Sequence, residues 1–282
     1  MSTADERYPF CGGGLSVVEA CRNIAAVFFH KSRIIPPPRG WFLFAMNRLQ
    51  QSAQPPMKVF GNREPEISSA LFSFSETDAS CALFAPLHYE SGYAYPLIVW
   101  LHGPGADERQ LMRIMPAISM RNYVAVAPEA VGAEEPWPQT LEAIQEAEAR
   151  VFASVETAHR KFHISPKRIF LAGFDTGGAM AFRIALNHPD RFAGVVSLCG
   201  PFPAGHHPFG HLNEARKLPV FLAAGRDSDR YPQKVVCDNL RLLYTAGLSL
   251  TLRQYPCDQQ LCPQMLRDLD RWLIDQITES PC

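Results

Sequence analysis

The chain has 282 residues, of which 47% are hydrophobic, and this is enough for a buried core in one large domain with an extension. Its 27 basic and 28 acidic residues give a formal charge of -1, and the sequence has no block of lysine or arginine, so no nucleic-acid partner is expected. The eight cysteines are scattered without zinc-finger pairs, which favours reduced thiols and a cytoplasmic location.

Residues 1–66 are predicted to form an extension that consists of an amphipathic helix and a proline-rich linker. The helix falls on LSVVEACRNIAAVFF, which Glu19 and Arg22 interrupt and which, at about 15 residues, is too short for a transmembrane segment. The preceding MSTADERYPF does not have the pattern of a secretory signal. We interpret the helix as docked on its own protein; a protein partner, self-association or a membrane surface are the alternatives.

Residues 67–282 are predicted to form an α/β domain, because strand-like apolar runs alternate with helical patterns. ALFSF and CALFAP are expected to be early strands, and PLIVWLH and YVAVAP have the continuous apolar character of strands buried on both faces. The later elements are expected in the order helix 140–162, strand RIFLAGF, a helix after GFDTG, strands FAGVVSLCG and LPVFLAAG, helix KVVCDNLRLLYTAG, strand LSLTLRQYP and helix MLRDLDRWLIDQI. This order predicts a mostly parallel sheet with helices on both faces.

Four of the predicted strands end in polar or glycine-rich segments, and ligands of such sheets collect at the carboxyl ends of strands. These segments are LHGPGAD at 101–107, GFDTG at 173–177, GRDSDRYP at 225–232 and YPCDQQLCP at 255–263. Their order and spacing resemble the α/β-hydrolase fold, and within it the small carboxylesterase and phospholipase-type hydrolases. The resemblance covers about residues 67–278, and GFDTG with the helix that follows it is its most specific part.

The resemblance implies a Ser-His-acid triad, yet this chain differs at each of the three positions. Asp175 stands where the nucleophilic serine belongs. Ser228 stands at the acid position, with Asp227 and Asp229 on either side as acids that a one-residue shift would bring to the site. Gln259 stands at the histidine position, and an amide does not shuttle protons near neutral pH.

The resemblance also implies an oxyanion hole, which is a pair of backbone N-H groups that stabilise the developing negative charge. Thr176 supplies the first N-H group. The second is expected from the residue after His102-Gly103, which is Pro104 and has no N-H. His102, Gly103, Pro104 and Gly105 are therefore expected to line the pocket, and His102 is interpreted as holding its loop by hydrogen bonds rather than as a catalytic base.

Several other interpretations of these residues are open. Asp175 could attack a halide or an epoxide, with a base from His206, His207 or His211, or it could cap the following helix for stability. Cys257 and Cys262 flank Gln259 but are interpreted as buried thiols and not as nucleophiles. A cation held by Asp175 with Asp227 or Asp229 lacks a recognisable ligand spacing, so no metal and no cofactor are expected.

The predicted function is that of a carboxylesterase-like protein that has lost ester hydrolysis and serves in binding or regulation. Its pocket is expected to take a small-molecule or acyl-type ligand. The alternatives are an active hydrolase that uses Asp175 on a non-ester electrophile, and a weak esterase that works through positioned water.

Overall fold

The computed structural model describes residues 71–74, 80–132 and 135–279. The predicted extension of residues 1–66 lies outside these residues. The strands are β1 (Leu71–Phe74), β2 (Cys81–Phe84), β3 (Tyr95–Leu101), β4 (Val124–Pro128), β5 (Ile164–Phe174), β6 (Gly194–Leu198), β7 (Val220–Gly225) and β8 (Leu250–Tyr255). The helices are α1 (Gln110–Ile118), α2 (Leu141–Lys161), α3 (Thr176–Asn187), α4 (Leu212–Ala215), α5 (Gln233–Ala246) and α6 (Pro263–Glu279).

The described strands form a single sheet in the order β1-β2-β4-β3-β5-β6-β7-β8. β1 and β2 pair antiparallel, and β2 pairs antiparallel with β4, whereas every later pair in this order is parallel. Because parallel strands end at the same edge, the carboxyl ends of β3, β5, β7 and β8 bring the four polar segments to one end of the domain. The predicted mostly parallel sheet of an α/β-hydrolase fold is confirmed.

Two apolar layers cover the sheet, because successive side chains of a strand point to opposite faces. Leu97, Val99 and Leu101 of β3 pack with apolar residues of α2 and α3. Ile98 and Trp100 of the same strand pack with residues of α1 and α6 on the other face. All residues of β3, β4, β6 and β7 are buried, which explains the unbroken apolar runs in their sequences.

The structure differs from the predicted elements at two places. Helix α1 was not expected, and it contains Pro116 in its interior, a residue that usually ends a helix. β5 begins at Ile164, before the predicted Arg168, because Ile164 pairs with Tyr95 of β3. A register shift between Tyr95 and Leu97 separates this pair from the rest of the ladder. None of the helices in the described residues combines the length and the apolar composition that a bilayer crossing requires.

Candidate active site

The turn between β5 and α3 holds Asp175 in a conformation with φ 53° and ψ -121°, which non-glycine residues rarely adopt. The packing around the turn requires the glycines on either side of Asp175. A Cβ atom on Gly177 would lie 2.3 Å from the carbonyl oxygen of Leu101 and 2.4 Å from that of His102. A Cβ atom on Gly173 would lie 2.3 Å from the carbonyl oxygen of Gly177. The start of α3 therefore passes directly under the end of β3. We call the turn of residues 173–177 the elbow.

The Asp175 side chain is only 6% exposed and forms an ion pair with Arg230, whose Nη1 lies 2.9 Å from Asp175 Oδ2. Its backbone N-H donates to the Leu198 carbonyl oxygen at 2.9 Å. Asp175 occupies the N-cap position of α3, but its carboxylate accepts no capping hydrogen bond from the helix. The idea that Asp175 caps the helix with its side chain is therefore wrong: the carboxylate is directed to Arg230 instead.

No sequence pattern identified Arg230 as a site residue. It lies in the same GRDSDRYP segment as Ser228, but an arginine on an exposed loop has no pattern that identifies its partner. Its side chain is 56% exposed, in contrast to the buried carboxylate that it contacts.

Ser228 and Gln259 are in direct contact. The Ser228 hydroxyl donates to Gln259 Oε1 at 2.5 Å and accepts from the Tyr231 N-H at 3.0 Å. Gln259 Nε2 donates to the Cys199 carbonyl oxygen at 2.8 Å. Both ends of the Gln259 amide thus have partners, and these bonds determine which end is the oxygen and which the nitrogen.

The two aspartates beside Ser228 are turned to solvent. Asp227 is paired with Arg226 at 3.2 Å, and its side chain is 59% exposed. Asp229 is also exposed, whereas Ser228 is buried. The structure therefore brings Ser228, and neither neighbouring acid, to Gln259.

The loop after β3 forms a tight turn. The Ala106 N-H donates to the Gly103 carbonyl oxygen at 3.3 Å, and Gly105 has φ 72°, which together with Pro104 is the pattern of a type II turn. His102 is buried, and its Nδ1 donates to the Gly103 carbonyl oxygen at 3.0 Å. Trp137 Nε1 donates to the His102 carbonyl oxygen at 2.7 Å. These contacts fix the conformation of the loop and tie it to Trp137.

The histidines of the segment after β6 are on the surface. His206, His207 and His211 are exposed, and the first two have positive φ angles. The buried Arg183 donates to the carbonyl oxygens of Ala204 and Gly205 at 2.6 and 2.7 Å, which ties this segment to α3. Within the described residues, no hydrogen bond or ion pair joins a histidine ring to Asp175.

The thiols near the site are free but poorly ionised. Burial raises the pKa of Cys257 to about 11, and the neighbouring Cys262 contributes further. Burial also raises the pKa of Cys199 to about 12. Since thiolates are the reactive form, these groups are weak nucleophiles at neutral pH. The part of the chain that the structure describes contains no cluster of three histidine, cysteine or acidic residues arranged to hold a metal ion.

A cavity of about 410 Å³ lies beside the loop after β3. Its lining includes His102, Gly105, Asp107, Glu108 and Arg150 and contains no residue of the elbow. A larger cavity of about 480 Å³ involves Tyr95 at the amino end of β3, together with Tyr93 and Ile274. We take the smaller one as the site cavity, because ligands of parallel sheets bind at the carboxyl ends of the strands.

Residues 133–276 match the sequence model of a protein family described as phospholipase/carboxylesterase. The chain belongs to this family. A probable carboxylesterase SOBER1-like of Arabidopsis thaliana is 22% identical over 241 residues, which are 75% of this chain and 89% of that protein. NocK of Nocardia uniformis subsp. tsuyamanensis is 30% identical over 141 residues, which are 48% of this chain and 40% of NocK.

Solved structures of other proteins have the same fold. Arabidopsis thaliana SOBER1 superposes with a TM-score of 0.57 at 21% identity, over 65% of this chain and 100% of that one. Esterase PE8 superposes with a TM-score of 0.58 at 24% identity, over 71% of this chain and 99% of that one. At these identities the likeness concerns the fold alone.

Proposed function

We propose that this member of the phospholipase/carboxylesterase family does not hydrolyse esters and acts instead as a ligand-binding or regulatory protein. The observation that carries the proposal is the Asp175–Arg230 ion pair at the elbow, where the resemblance calls for a serine activated by a histidine. The contact between Ser228 and Gln259 supports it, because these residues stand where the acid and the histidine are expected.

Ester hydrolysis at this site would lack both a proton acceptor and one of the two oxyanion donors. A serine triad needs an imidazole that takes the proton of the attacking hydroxyl, and the Gln259 amide has no basic atom for this role. Pro104 has no N-H to donate to an oxyanion, and loss of one such donor typically costs about 100- to 1000-fold in rate. A carboxylate at position 175 would also repel the oxyanion that forms beside it.

Nucleophilic attack by Asp175 on a halide or an epoxide is disfavoured by the same ion pair. One carboxylate oxygen is bound to Arg230, which stabilises the negative charge that the attack would use. The covalent intermediate would then need a base to activate water, and within the described residues the contacts of Asp175 include no histidine.

The test is treatment of the purified chain with a fluorophosphonate probe and with p-nitrophenyl butyrate. We expect no labelled serine and no hydrolysis above that of the Asp175→Asn variant. Stoichiometric labelling of any serine would overturn the proposal. So would turnover of a haloalkane or an epoxide that is lost in Asp175→Asn and kept in Gln259→Ala.

A restoration series tests the assignment of positions. We expect Asp175→Ser with Gln259→His to regain some esterase activity, kept low by Pro104. Adding Ser228→Asp is expected to raise that activity by more than about tenfold, since an acid in contact with residue 259 would orient the new histidine. The matched control carries Ala at position 175 with the same two other changes and is expected to be inactive. Equal activity of the double and triple variants would contradict the assignment of position 228.

A further inference from the structure

Four basic residues lie close together in the chain where α2 ends and β5 begins. They are Arg160, Lys161, Lys167 and Arg168. No acidic residue occurs between Glu156 and Asp175, so nothing in this stretch of sequence neutralises them. Because the whole chain has a formal charge of only -1, the positive charge at this place is a local feature.

The start of β5 carries two of these residues out of the sheet. In the pairing of β5 with β3, residues 165–168 stand opposite Pro96 alone. Extra residues on one strand of a pair bulge out of the ladder, and we call residues 165–168 the basic bulge. Lys167 is exposed and Arg168 is half-buried. Neither forms an ion pair with a carboxylate in the described part of the chain, so both charges are available to a partner.

The basic bulge borders the cavity of about 480 Å³ at the amino ends of β3 and β4, which we call the amino-end groove. Pro96 belongs to both features, since it lines the groove and stands opposite the bulge. The lining also includes Tyr93 and Ile274, whose side chains are 48% and 40% exposed. Large apolar side chains that are open to water at a concave surface are typical of interaction sites.

The groove has a charged rim. Arg121 lines it and is exposed, and among the described residues no carboxylate is paired with its guanidinium. Glu90 is the acid in the described lining. With the adjoining Lys167 and Arg168, positive charge exceeds negative charge around the groove, which favours a partner with carboxylates.

The shape of the groove indicates the kind of partner. A membrane surface is contacted by apolar side chains that protrude, whereas Tyr93 and Ile274 line a concave surface. The phosphates of a nucleic acid would match the basic residues but not the apolar lining. A peptide matches both, because it inserts an apolar side chain into a groove and places charged side chains on the rim.

We propose that the amino-end groove and the basic bulge bind an acidic peptide segment of a partner protein. An apolar side chain of the segment enters the groove against Tyr93 and Ile274. Carboxylates on either side of it pair with Arg121, Lys167 and Arg168. This surface is at the amino ends of the parallel strands, opposite to the elbow, so the proposal does not rest on the function proposed above.

The experiment is fluorescence polarisation of the full chain with a fluorescein-labelled peptide in which glutamates flank a phenylalanine. Matched peptides replace the glutamates by glutamines or by lysines, or the phenylalanine by serine. We expect the parent peptide to bind, with an affinity that falls as salt screens the exposed charges. The glutamine and serine peptides are expected to bind at least about tenfold more weakly, and the lysine peptide is expected not to bind.

Variants of the chain locate the contact. Lys167→Gln with Arg168→Gln is expected to bind the parent peptide about tenfold more weakly and with a smaller salt dependence. Tyr93→Ser is expected to bind it at least about tenfold more weakly with an unchanged salt dependence. The matched control is Lys234→Gln with Arg241→Gln, which removes the same charges from exposed positions of α5 and is expected to bind as the unmodified chain does.

The fold of each variant is checked by circular dichroism, and Lys167→Gln alone, expected to bind about threefold more weakly, replaces the double variant if that one does not fold. The proposal is overturned if the parent peptide does not bind, if the α5 control loses as much affinity as the bulge variant, or if Tyr93→Ser keeps full affinity. Binding of phosphatidylserine vesicles or of a duplex oligonucleotide in place of the peptide would also overturn it, and would assign the basic bulge to a membrane or to a nucleic acid.

Discussion

Replacement of Arg230 by alanine should destabilise the fold, because it leaves the Asp175 carboxylate buried without its cation. Removal of one partner from a fully buried ion pair costs about 3–5 kcal/mol, whereas an exposed pair is worth about 0–1 kcal/mol. Here one partner is 6% and the other 56% exposed, so water screens the pair from the arginine side. The expected cost in the free energy of unfolding is therefore about 1–2 kcal/mol.

A double-mutant cycle with Asp175→Asn measures the interaction directly. Asparagine tolerates the positive φ of the elbow and carries no charge, so it is expected to cost less than Arg230→Ala. In the double variant most of the Arg230→Ala penalty should disappear, because no unpaired charge remains.

The assay is urea denaturation of the four proteins, supported by thermal unfolding. For a domain of this size, a loss of 1–2 kcal/mol lowers the melting temperature by about 3–6 °C. Arg226→Ala, which breaks the exposed pair with Asp227, serves as the control and should leave the midpoint unchanged. Equal midpoints for Arg230→Ala and the unmodified chain would refute the reasoning, as would strictly additive effects in the cycle.

Three further predictions concern the rest of the domain. Gly177→Ala should prevent folding or cost more than about 3 kcal/mol in the free energy of unfolding, because its Cβ would meet two backbone carbonyls. Gly105→Ala, which has open space around it and φ +72°, should cost only about 1 kcal/mol. Urea titrations compare the two variants, and equal costs would contradict the packing argument. Burial alone would raise the pKa of Asp268, but hydrogen bonds from Tyr255, Arg253 and Gln264 lower this pKa below its ordinary value. The ionised Asp268 therefore stabilises the fold above the pKa that it has in the unfolded chain, and this stabilisation is lost as the pH falls through its pKa in the folded protein. Asp268→Asn should therefore flatten the acid side of the stability curve measured by urea unfolding from neutral pH downwards, and an unchanged slope would count against this account. Alkylation of Cys257 by iodoacetamide, followed by mass spectrometry of its peptide, should be slow at neutral pH and accelerate until the pH approaches about 11; rapid labelling at neutral pH would show that the thiol is activated.

Most of the sheet could be predicted because its central strands are buried on both faces and appear as unbroken apolar runs. Helix α1 was missed although its buried residues Leu111, Ile114, Met115 and Ile118 recur at helical spacing, because Pro116 in its interior is a residue that usually ends a helix. The start of β5 was missed for a related reason. Ser165 and Pro166 interrupt the apolar pattern, and only pairing with β3 extends the strand past them.

The site could be predicted in part. The resemblance located Asp175, Ser228 and Gln259, and the structure brings the last two into contact. The partner of Asp175 was not predictable, because it depends on how the loop after β7 folds over the elbow. The side-chain capping interpretation of Asp175 was wrong because the positive φ of the turn directs the carboxylate to Arg230 and away from the first N-H groups of α3.

The close approach of Gly177 to the carbonyl oxygens of Leu101 and His102 has a consequence for how such a protein can change. Backbone crowding, and not any reactive group, determines the geometry of the turn, so whichever residue occupies position 175 is presented at the same place above the sheet. One substitution there can exchange a nucleophile for an anion without rebuilding the scaffold. Chemistry and architecture can therefore diverge independently in this domain, and the same position is the natural starting point for engineering a new activity into it.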